Sequence, residues 1–103
     1  MAVELNENNF KQNTKTGKAV IDFYADWCGP CQMMKPVFEK VGKEVKGINF
    51  YKVNVDNNAE TASAYSVRSI PTIVFMKDGK EVDRVLGVMY EEDFKKKITA
   101  VFK

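Results

Sequence analysis

The sequence contains no histidine and only two cysteines, Cys28 and Cys31. A structural zinc site needs about four ligands, drawn mostly from cysteine and histidine, so zinc would require carboxylates or a second chain. Covalent attachment of a c-type haem needs a histidine directly after the second cysteine, where this chain has Gln32. Papain-like catalysis needs a histidine as its general base. The sequence therefore argues against all three chemistries, and we expect no metal and no cofactor.

Long apolar segments are also missing. No run approaches the roughly 20 residues that a membrane-spanning helix needs, and the first residues, MAVELNENNF, lack the basic and apolar regions of a signal peptide. The net charge is only +2, and the one dense basic cluster, residues 95–97, is typical of a solvated helix face. We expect a cytoplasmic monomer that binds neither nucleic acid nor membrane, in a compartment where structural disulfides are rare.

The length and composition are those of one folded unit. A chain of 103 residues suits a single compact domain, which we expect to cover residues 1–103. With 45% hydrophobic and 12% aromatic residues, the chain can bury an ordinary core, which argues against disorder.

The first half of the chain predicts a strand, a helix and a second strand. Residues 18–25, KAVIDFYA, are rich in β-formers and predict a buried strand. An apolar stripe at helical spacing then predicts a helix that Gly47 can end. The members of the stripe are Met34, Val37, Phe38, Val41 and Val45. Residues 48–55 predict a strand covered on both faces, and the crossover between the strands should be right-handed.

The second half predicts a short helix, a hairpin and a final helix. Asp56 and Asn57 can cap a helix over residues 59–65. The segment PTIVFMKDGKEVDRVLG predicts two strands joined at Asp78-Gly79, a dipeptide typical of tight hairpins. The apolar face of the final helix is formed by Phe94, Ile98, Val101 and Phe102.

Near the N-terminus, residues 3–5 predict an edge strand and residues 8–15 a helix. The whole pattern predicts the α/β class, with a central mixed sheet of about five strands and about four helices covering both faces. We expect the sheet to be parallel at its centre and antiparallel at the hairpin.

The two cysteines, separated by Gly29 and Pro30, favour reversible dithiol–disulfide chemistry, because both sulfurs can meet within one helical turn. Cys28 lies where the first long strand gives way to a helix, near unpaired N–H groups and the positive end of the helix dipole. Both favour the thiolate, which is the reactive form. Pro30 suits a first helical turn. Cys31, one turn further in, should be more shielded.

Three segments carry a resemblance to a known family. DFYADWCGPCQMMKP, SIPT and KDGKEVDRVLG occur in an order and spacing that resembles the thioredoxin family over essentially the whole chain. The resemblance implies the thioredoxin fold and a redox-active Cys28–Cys31 disulfide, in which Cys28 attacks a substrate disulfide and Cys31 resolves the mixed disulfide. It implies a general protein-disulfide reductase, an electron carrier that thioredoxin reductase recharges. The implied targets include ribonucleotide reductase, methionine sulfoxide reductases and peroxiredoxins.

The resemblance also assigns two charged residues to the site. Asp22 matches the family's buried aspartate, whose burial would raise its pKa so that it can act as general base for Cys31, directly or through a water. From the residues alone, the alternative is that Asp22 is a strand-edge carboxylate facing solvent. Lys52 matches a lysine on the neighbouring strand that can pair with Asp22; the alternative is a surface lysine.

A substrate-docking surface follows from the same resemblance. Pro71 matches the family's cis-proline, which would leave the backbone of Ile70 free to pair with a substrate chain. Without the resemblance, a trans proline at a strand entrance would be expected. The implied apolar surface around Pro71 consists of Trp27, Gly29, Pro30, Ile70, Gly87 and Val88. Trp27 could instead be an ordinary packing residue.

Three positions depart from the commonest family pattern. Tyr24 stands where tryptophan is frequent, Ser69 where glycine is frequent, and Gln32 where lysine or arginine is usual. Gln32 removes a positive charge near the motif, so we expect thiolate stabilisation and partner choice to differ modestly. Two other functions stay open: an oxidant or isomerase on the same fold, although CGPC favours the reducing direction, and a binding subunit whose thiols are incidental.

Overall fold

The structure, a computed structural model, describes residues 2–103. Within them lie five strands and four helices: β1 (Val3–Glu4), α1 (Phe10–Thr14), β2 (Lys18–Tyr24), α2 (Gly29–Glu44), β3 (Asn49–Asn54), α3 (Ala59–Ala64), β4 (Thr72–Lys77), β5 (Lys80–Leu86) and α4 (Glu91–Val101). The predicted α/β class and the predicted order of elements are confirmed. None of the helices in residues 2–103 has both the length and the apolar character needed to cross a membrane.

The strands form one mixed sheet in the order β1-β3-β2-β4-β5. The strands β1, β3 and β2 are parallel, whereas β4 runs antiparallel to both β2 and β5. The antiparallel part of the sheet is therefore larger than predicted, because it includes the β2–β4 pair as well as the β4–β5 hairpin. The central strand β2 consequently has a parallel neighbour on one side and an antiparallel neighbour on the other.

The two faces of β2 point into two different cores because successive side chains on a strand alternate between faces. Ile21 and Phe23 belong to an apolar cluster with Phe10 of α1 and Tyr65, which directly follows α3. Val20 belongs to the opposite cluster, which contains the apolar stripe of α2 and the buried residues of α4. Asp22 lies two residues after Val20 and therefore points to the same face of the strand. The pleat therefore places this carboxylate on the face that α2 covers.

The hairpin is confirmed at Asp78-Gly79. Both residues have positive φ angles, 51° for Asp78 and 85° for Gly79, as a two-residue type I′ turn requires. The turn fixes the pairing of Lys77 with Lys80. A register irregularity between Phe75 and Met76 then places Asp83 opposite Phe75.

The predicted end of α2 is wrong by a few residues. The helix stops at Glu44 because Val45 already has an extended backbone, with φ −90° and ψ 122°. Gly47 takes the positive φ of 81° in the turn that follows. The glycine therefore shapes the connection to β3 instead of ending the helix.

The predicted cap of α3 is also wrong, since neither Asp56 nor Asn57 caps the helix. Two N–H groups of its first turn, those of Glu60 and Thr61, donate to Oε2 of Glu7 at 2.7 and 3.3 Å. Glu7 lies 53 residues earlier in the chain than Glu60. A carboxylate at a helix N-terminus satisfies free N–H groups and complements the helix dipole, and here a distant segment supplies it.

Candidate functional site

The two cysteines lie at the first turn of α2 and are joined by a disulfide, with their Cα atoms 5.2 Å apart. Cys28 is the N-cap residue, and its Sγ accepts a hydrogen bond from the backbone N–H of Cys31 at 3.2 Å. A sulfur in this position faces unpaired N–H groups and the positive end of the helix dipole, both of which favour a thiolate once the disulfide is reduced. Helix capping thus distinguishes Cys28 from Cys31.

Burial distinguishes the two cysteines much less than expected. Cys28 is 5% exposed and Cys31 is 3% exposed, so the predicted stronger shielding of Cys31 is barely present. Gly29 and Pro30, by contrast, are exposed. The neighbours between the cysteines are therefore accessible while both sulfur-bearing residues lie largely below the surface.

Asp22 is buried, with 3% of its surface exposed, which excludes the alternative of a solvent-facing carboxylate. Burial raises the pKa of Asp22 to about 7, Lys52 opposes this rise, and the negative charges of Glu4 and Glu39 add to it. Among residues 2–103, Oδ1 of Asp22 has no hydrogen-bond partner. The carboxyl group can therefore gain or lose a proton near neutral pH.

A small cavity connects Asp22 to the second cysteine. Its volume is about 60 Å³, which is large enough for a water molecule. Besides Asp22, it is lined by Tyr24, Asp26, Cys31, Gln32, Lys35 and Lys52. The Asp22 carboxyl group and Cys31 thus line the same cavity.

Lys52 lies opposite Asp22 in the register of β2 and β3. Its ammonium nitrogen nevertheless pairs with Oε2 of Glu39 at 3.4 Å, and no ion pair to Asp22 forms within the described part of the chain. Lys52 therefore forms no direct ion pair with Asp22 in this structure, although its charge lowers the pKa of Asp22. Glu39 is 26% exposed, so an ion pair there loses less hydration than one at the buried Asp22 would.

The SIPT segment lies against the cysteines. The Ile70–Pro71 peptide bond is cis, and the carbonyl oxygen of Ile70 is 3.7 Å from Sγ of Cys28. The carbonyl oxygen of Pro71 accepts a hydrogen bond from the N–H of Gly87 at 2.8 Å. These contacts bring Ile70, Pro71 and Gly87 to the same side of the disulfide, with the partly exposed Val88 next in the chain.

Trp27 completes this surface. It is 73% exposed, so it is not an ordinary packing residue. Its indole N–H donates to Oδ2 of Asp56 at 2.8 Å, which fixes the ring beside the cysteine loop. The role of Asp56 was missed because its position suggested a helix cap.

Met33 was also missed. It is 62% exposed and lies three residues after Pro30 on α2, on the same side of the helix. Its neighbour Met34 belongs to the apolar stripe and is fully buried. The helical spacing relative to Pro30 was the signal that could have identified Met33 as an extension of the exposed apolar surface.

Each of the three departures from the family pattern makes a defined local contact. The Gln32 side chain donates to the carbonyl oxygen of Asp26 at 2.9 Å. The Tyr24 hydroxyl donates to Oε1 of Glu4 at 2.7 Å. The carbonyl oxygen of Ser69 accepts from the hydroxyl of Thr72 at 2.6 Å. Gln32 thereby ties the loop before Cys28 to the first turn of α2.

Known proteins resemble this chain along most of its length. The family model described as Thioredoxin matches residues 1–100. A thioredoxin from Chlamydia caviae is 47% identical over 88 residues, which are 85% of this chain and 86% of that protein. A thioredoxin from Staphylococcus saprophyticus is 41% identical over 92 residues, 88% of each chain. The solved structure of a mutant thioredoxin from Halobacterium salinarum NRC-1 superposes with a TM-score of 0.90 at 35% identity, covering 99% of this chain and 91% of that one.

Proposed function

The chain belongs to the thioredoxin family of thiol–disulfide oxidoreductases, and on that premise we propose that it is a general protein-disulfide reductase. The observation that carries the proposal is that the two cysteine sulfurs of the chain lie in different surroundings. Cys28 caps α2, while Cys31 lines the cavity that contains the buried carboxyl group of Asp22. A reductase needs one thiolate ready to attack and one thiol that is deprotonated on demand.

In the first step, the thiolate of Cys28 attacks one sulfur of the substrate disulfide. The substrate S–S bond breaks, a mixed disulfide forms with Cys28, and the departing substrate thiolate takes up a proton. The N–H of Cys31, 3.2 Å from Sγ of Cys28, and the dipole of α2 stabilise the attacking thiolate.

In the second step, Cys31 gives its proton to Asp22 across the cavity and attacks Sγ of Cys28. The mixed disulfide breaks, the second substrate thiolate leaves, and the Cys28–Cys31 disulfide forms. Two electrons have then passed from the dithiol to the substrate. A pKa of about 7 suits Asp22 to this task, because its ionised and protonated forms are both populated near neutral pH.

The exposed surface beside Cys28 would hold the substrate during both steps. We assign to it Trp27, Gly29, Pro30, Ile70, Pro71, Gly87 and Val88. An extended substrate segment can pair with the backbone of Ile70 while apolar side chains contact the exposed indole of Trp27. Lys52 takes part through its charge, since it favours the ionised form of Asp22.

The cellular setting forms part of the same proposal. We place the protein in the cytoplasm, where a thioredoxin reductase returns two electrons and two protons to the disulfide. Ribonucleotide reductase, methionine sulfoxide reductases and peroxiredoxins would then be substrates. The protein would act as a monomer.

The test is NADPH-coupled reduction of insulin disulfides in the presence of a thioredoxin reductase. Wild-type protein should turn over, and Cys28→Ser should reduce turnover to background because the attacking thiolate is lost. Cys31→Ser should instead accumulate stable mixed disulfides with substrates, since the second step is blocked. Absence of turnover both with a flavin-dependent reductase and NADPH and with a ferredoxin-linked reductase and reduced ferredoxin would contradict the proposal.

A further inference from the structure

Lys52 and Asp22 face each other on paired strands without forming an ion pair. Both line the cavity beside Cys31, and they are register partners on β2 and β3. The lysine stem is flexible, and an ammonium group that came close to the Asp22 carboxyl would favour its ionised form. In this structure the ammonium of Lys52 lies instead 3.4 Å from the carboxylate of Glu39.

Glu39 is held in place from both sides. Its Oε2 contacts Lys52, and its Oε1 accepts a hydrogen bond from the backbone N–H of Ala2 at 3.3 Å. Glu39 follows Cys31 and Lys35 along α2 at intervals of four residues, which places the three residues on one side of the helix. The helix that carries the second cysteine therefore also carries the partner of Lys52.

We propose that Glu39 is a positioning residue for the resolving step: it holds the Lys52 ammonium away from Asp22, so that Asp22 remains free to accept the proton of Cys31. The proposal rests on the proposed function of Asp22 and adds a residue to it. Glu39 touches neither sulfur nor substrate in this scheme; it acts through Lys52.

The charges around Asp22 determine the direction of the effect. The titratable and charged groups that line its cavity or act on it come from β1, β2, the loop before α2, α2 and β3: Glu4, Tyr24, Asp26, Cys31, Lys35, Glu39 and Lys52. Lys52 lowers the pKa of Asp22, whereas Glu4 and Glu39 raise it. Releasing Lys52 from Glu39 would let it approach Asp22 and stabilise the carboxylate, so the pKa of Asp22 would fall.

The first experiment compares wild-type protein with Glu39→Gln. The titration of Asp22 is followed by carboxyl ¹³C NMR in the oxidised protein, and the rate of the resolving step is measured against pH. Both midpoints should move to lower pH by about one pH unit or more. Glu44→Gln is the matched control, because Glu44 lies on the same helix and pairs with Lys95 of α4. It should leave both midpoints unchanged.

A second experiment separates positioning from the direct charge of Glu39, since loss of that charge alone also lowers the pKa of Asp22. The Glu39→Gln change is repeated in a Lys52→Gln background, where no ammonium is left to be released. The proposal predicts a much smaller shift there. Equal shifts in the two backgrounds, or no shift with Glu39→Gln alone, would overturn it.

The same data distinguish failure of this proposal from failure of the proposed function. If Asp22→Asn leaves the resolving step unchanged, Asp22 is not the base, whatever Glu39 does. The NMR midpoints of Asp22 after Glu39→Gln, compared between the wild-type and Lys52→Gln backgrounds, still decide whether Glu39 controls the position of Lys52.

Discussion

The single helix α2 covers two regions of the sheet that differ sharply in chemistry. Towards its C-terminal half lies an aromatic cluster, in which the ring centroid of Phe94 is 5.8 Å from that of Phe38 and 6.2 Å from that of Phe50. At its N-terminal end lies the polar cavity of Asp22 and Cys31. One region buries only apolar groups and stabilises the fold, whereas the other buries a carboxyl group at a cost in stability. The difference indicates that stability and reactivity occupy separate positions under one helix.

The largest effect on stability should come from the aromatic region. Phe94→Ala removes a fully buried ring at the centre of the cluster, so we expect the free energy of unfolding to fall by about 3–5 kcal/mol. Chemical denaturation measures this loss. Phe102→Ala, in which the ring is only partly buried, should cost less. A changed Asp22 titration midpoint in folded Phe94→Ala protein would show that the two regions are coupled.

Removing the charge of Asp22 from the cavity should, by contrast, raise the free energy of unfolding. The folded protein binds the Asp22 proton more tightly than the unfolded chain, because the pKa is about 7 in the fold and 3.8 in the reference state. Stability should therefore fall as pH rises from about 4 to about 7 and stay low above that range. Asp22→Asn removes this loss, so we expect its free energy of unfolding to exceed that of wild type by up to about 4 kcal/mol near pH 9, by about 1–2 kcal/mol near pH 5, and to differ little near pH 3.

The same substitution should slow the resolving step, because it removes the proton acceptor that we propose. Denaturation at several pH values, together with the rate of mixed-disulfide release, measures the two effects. Asp93→Asn, at an exposed position of α4, is the control and should show no pH-dependent difference between about pH 6 and pH 9. Equal pH dependence of stability in Asp22→Asn and wild type would contradict the assignment of that dependence to Asp22.

The smallest effect should come from a site remote from both regions. Glu7→Ala removes the carboxylate that accepts from the first turn of α3, and we expect a loss of about 1 kcal/mol in the free energy of unfolding. Thermal denaturation at neutral pH measures it. Insulin reduction should keep its wild-type rate. A large loss of turnover would show that the N-terminal loop supports the site as well as the fold.

Local sequence signals predicted most of the fold. The Asp78-Gly79 turn specifies its own backbone geometry, and the spacing of Met34, Phe38 and Val41 identifies the buried side of α2 without knowledge of what covers it. Such features depend on residues within a few positions of each other, which is why they can be recognised from the sequence.

The details missed in the site depend on contacts between distant segments. Trp27 bonds Asp56 across 29 residues, and Lys52 pairs with a glutamate on a different element. The partner of a flexible charged side chain is decided by which group the fold brings near and by how much hydration each pairing loses. Neither quantity can be obtained from spacing, so the sequence pointed to Lys52 but not to Glu39.

The position of α2 over both regions also limits how the molecule can move during its redox cycle. Phe38 packs against two neighbouring aromatic rings. A packed core resists rotation of a helix that contributes side chains to it. Making and breaking the Cys28–Cys31 bond must then be accommodated by the first turn and the loop before it. Oxidised and reduced protein should consequently differ in amide hydrogen exchange around Trp27 and Gln32 and exchange alike along the rest of the helix. The structural difference between the two redox states is thus confined to the first turn of α2 and the loop before it, while the rest of the helix stays fixed.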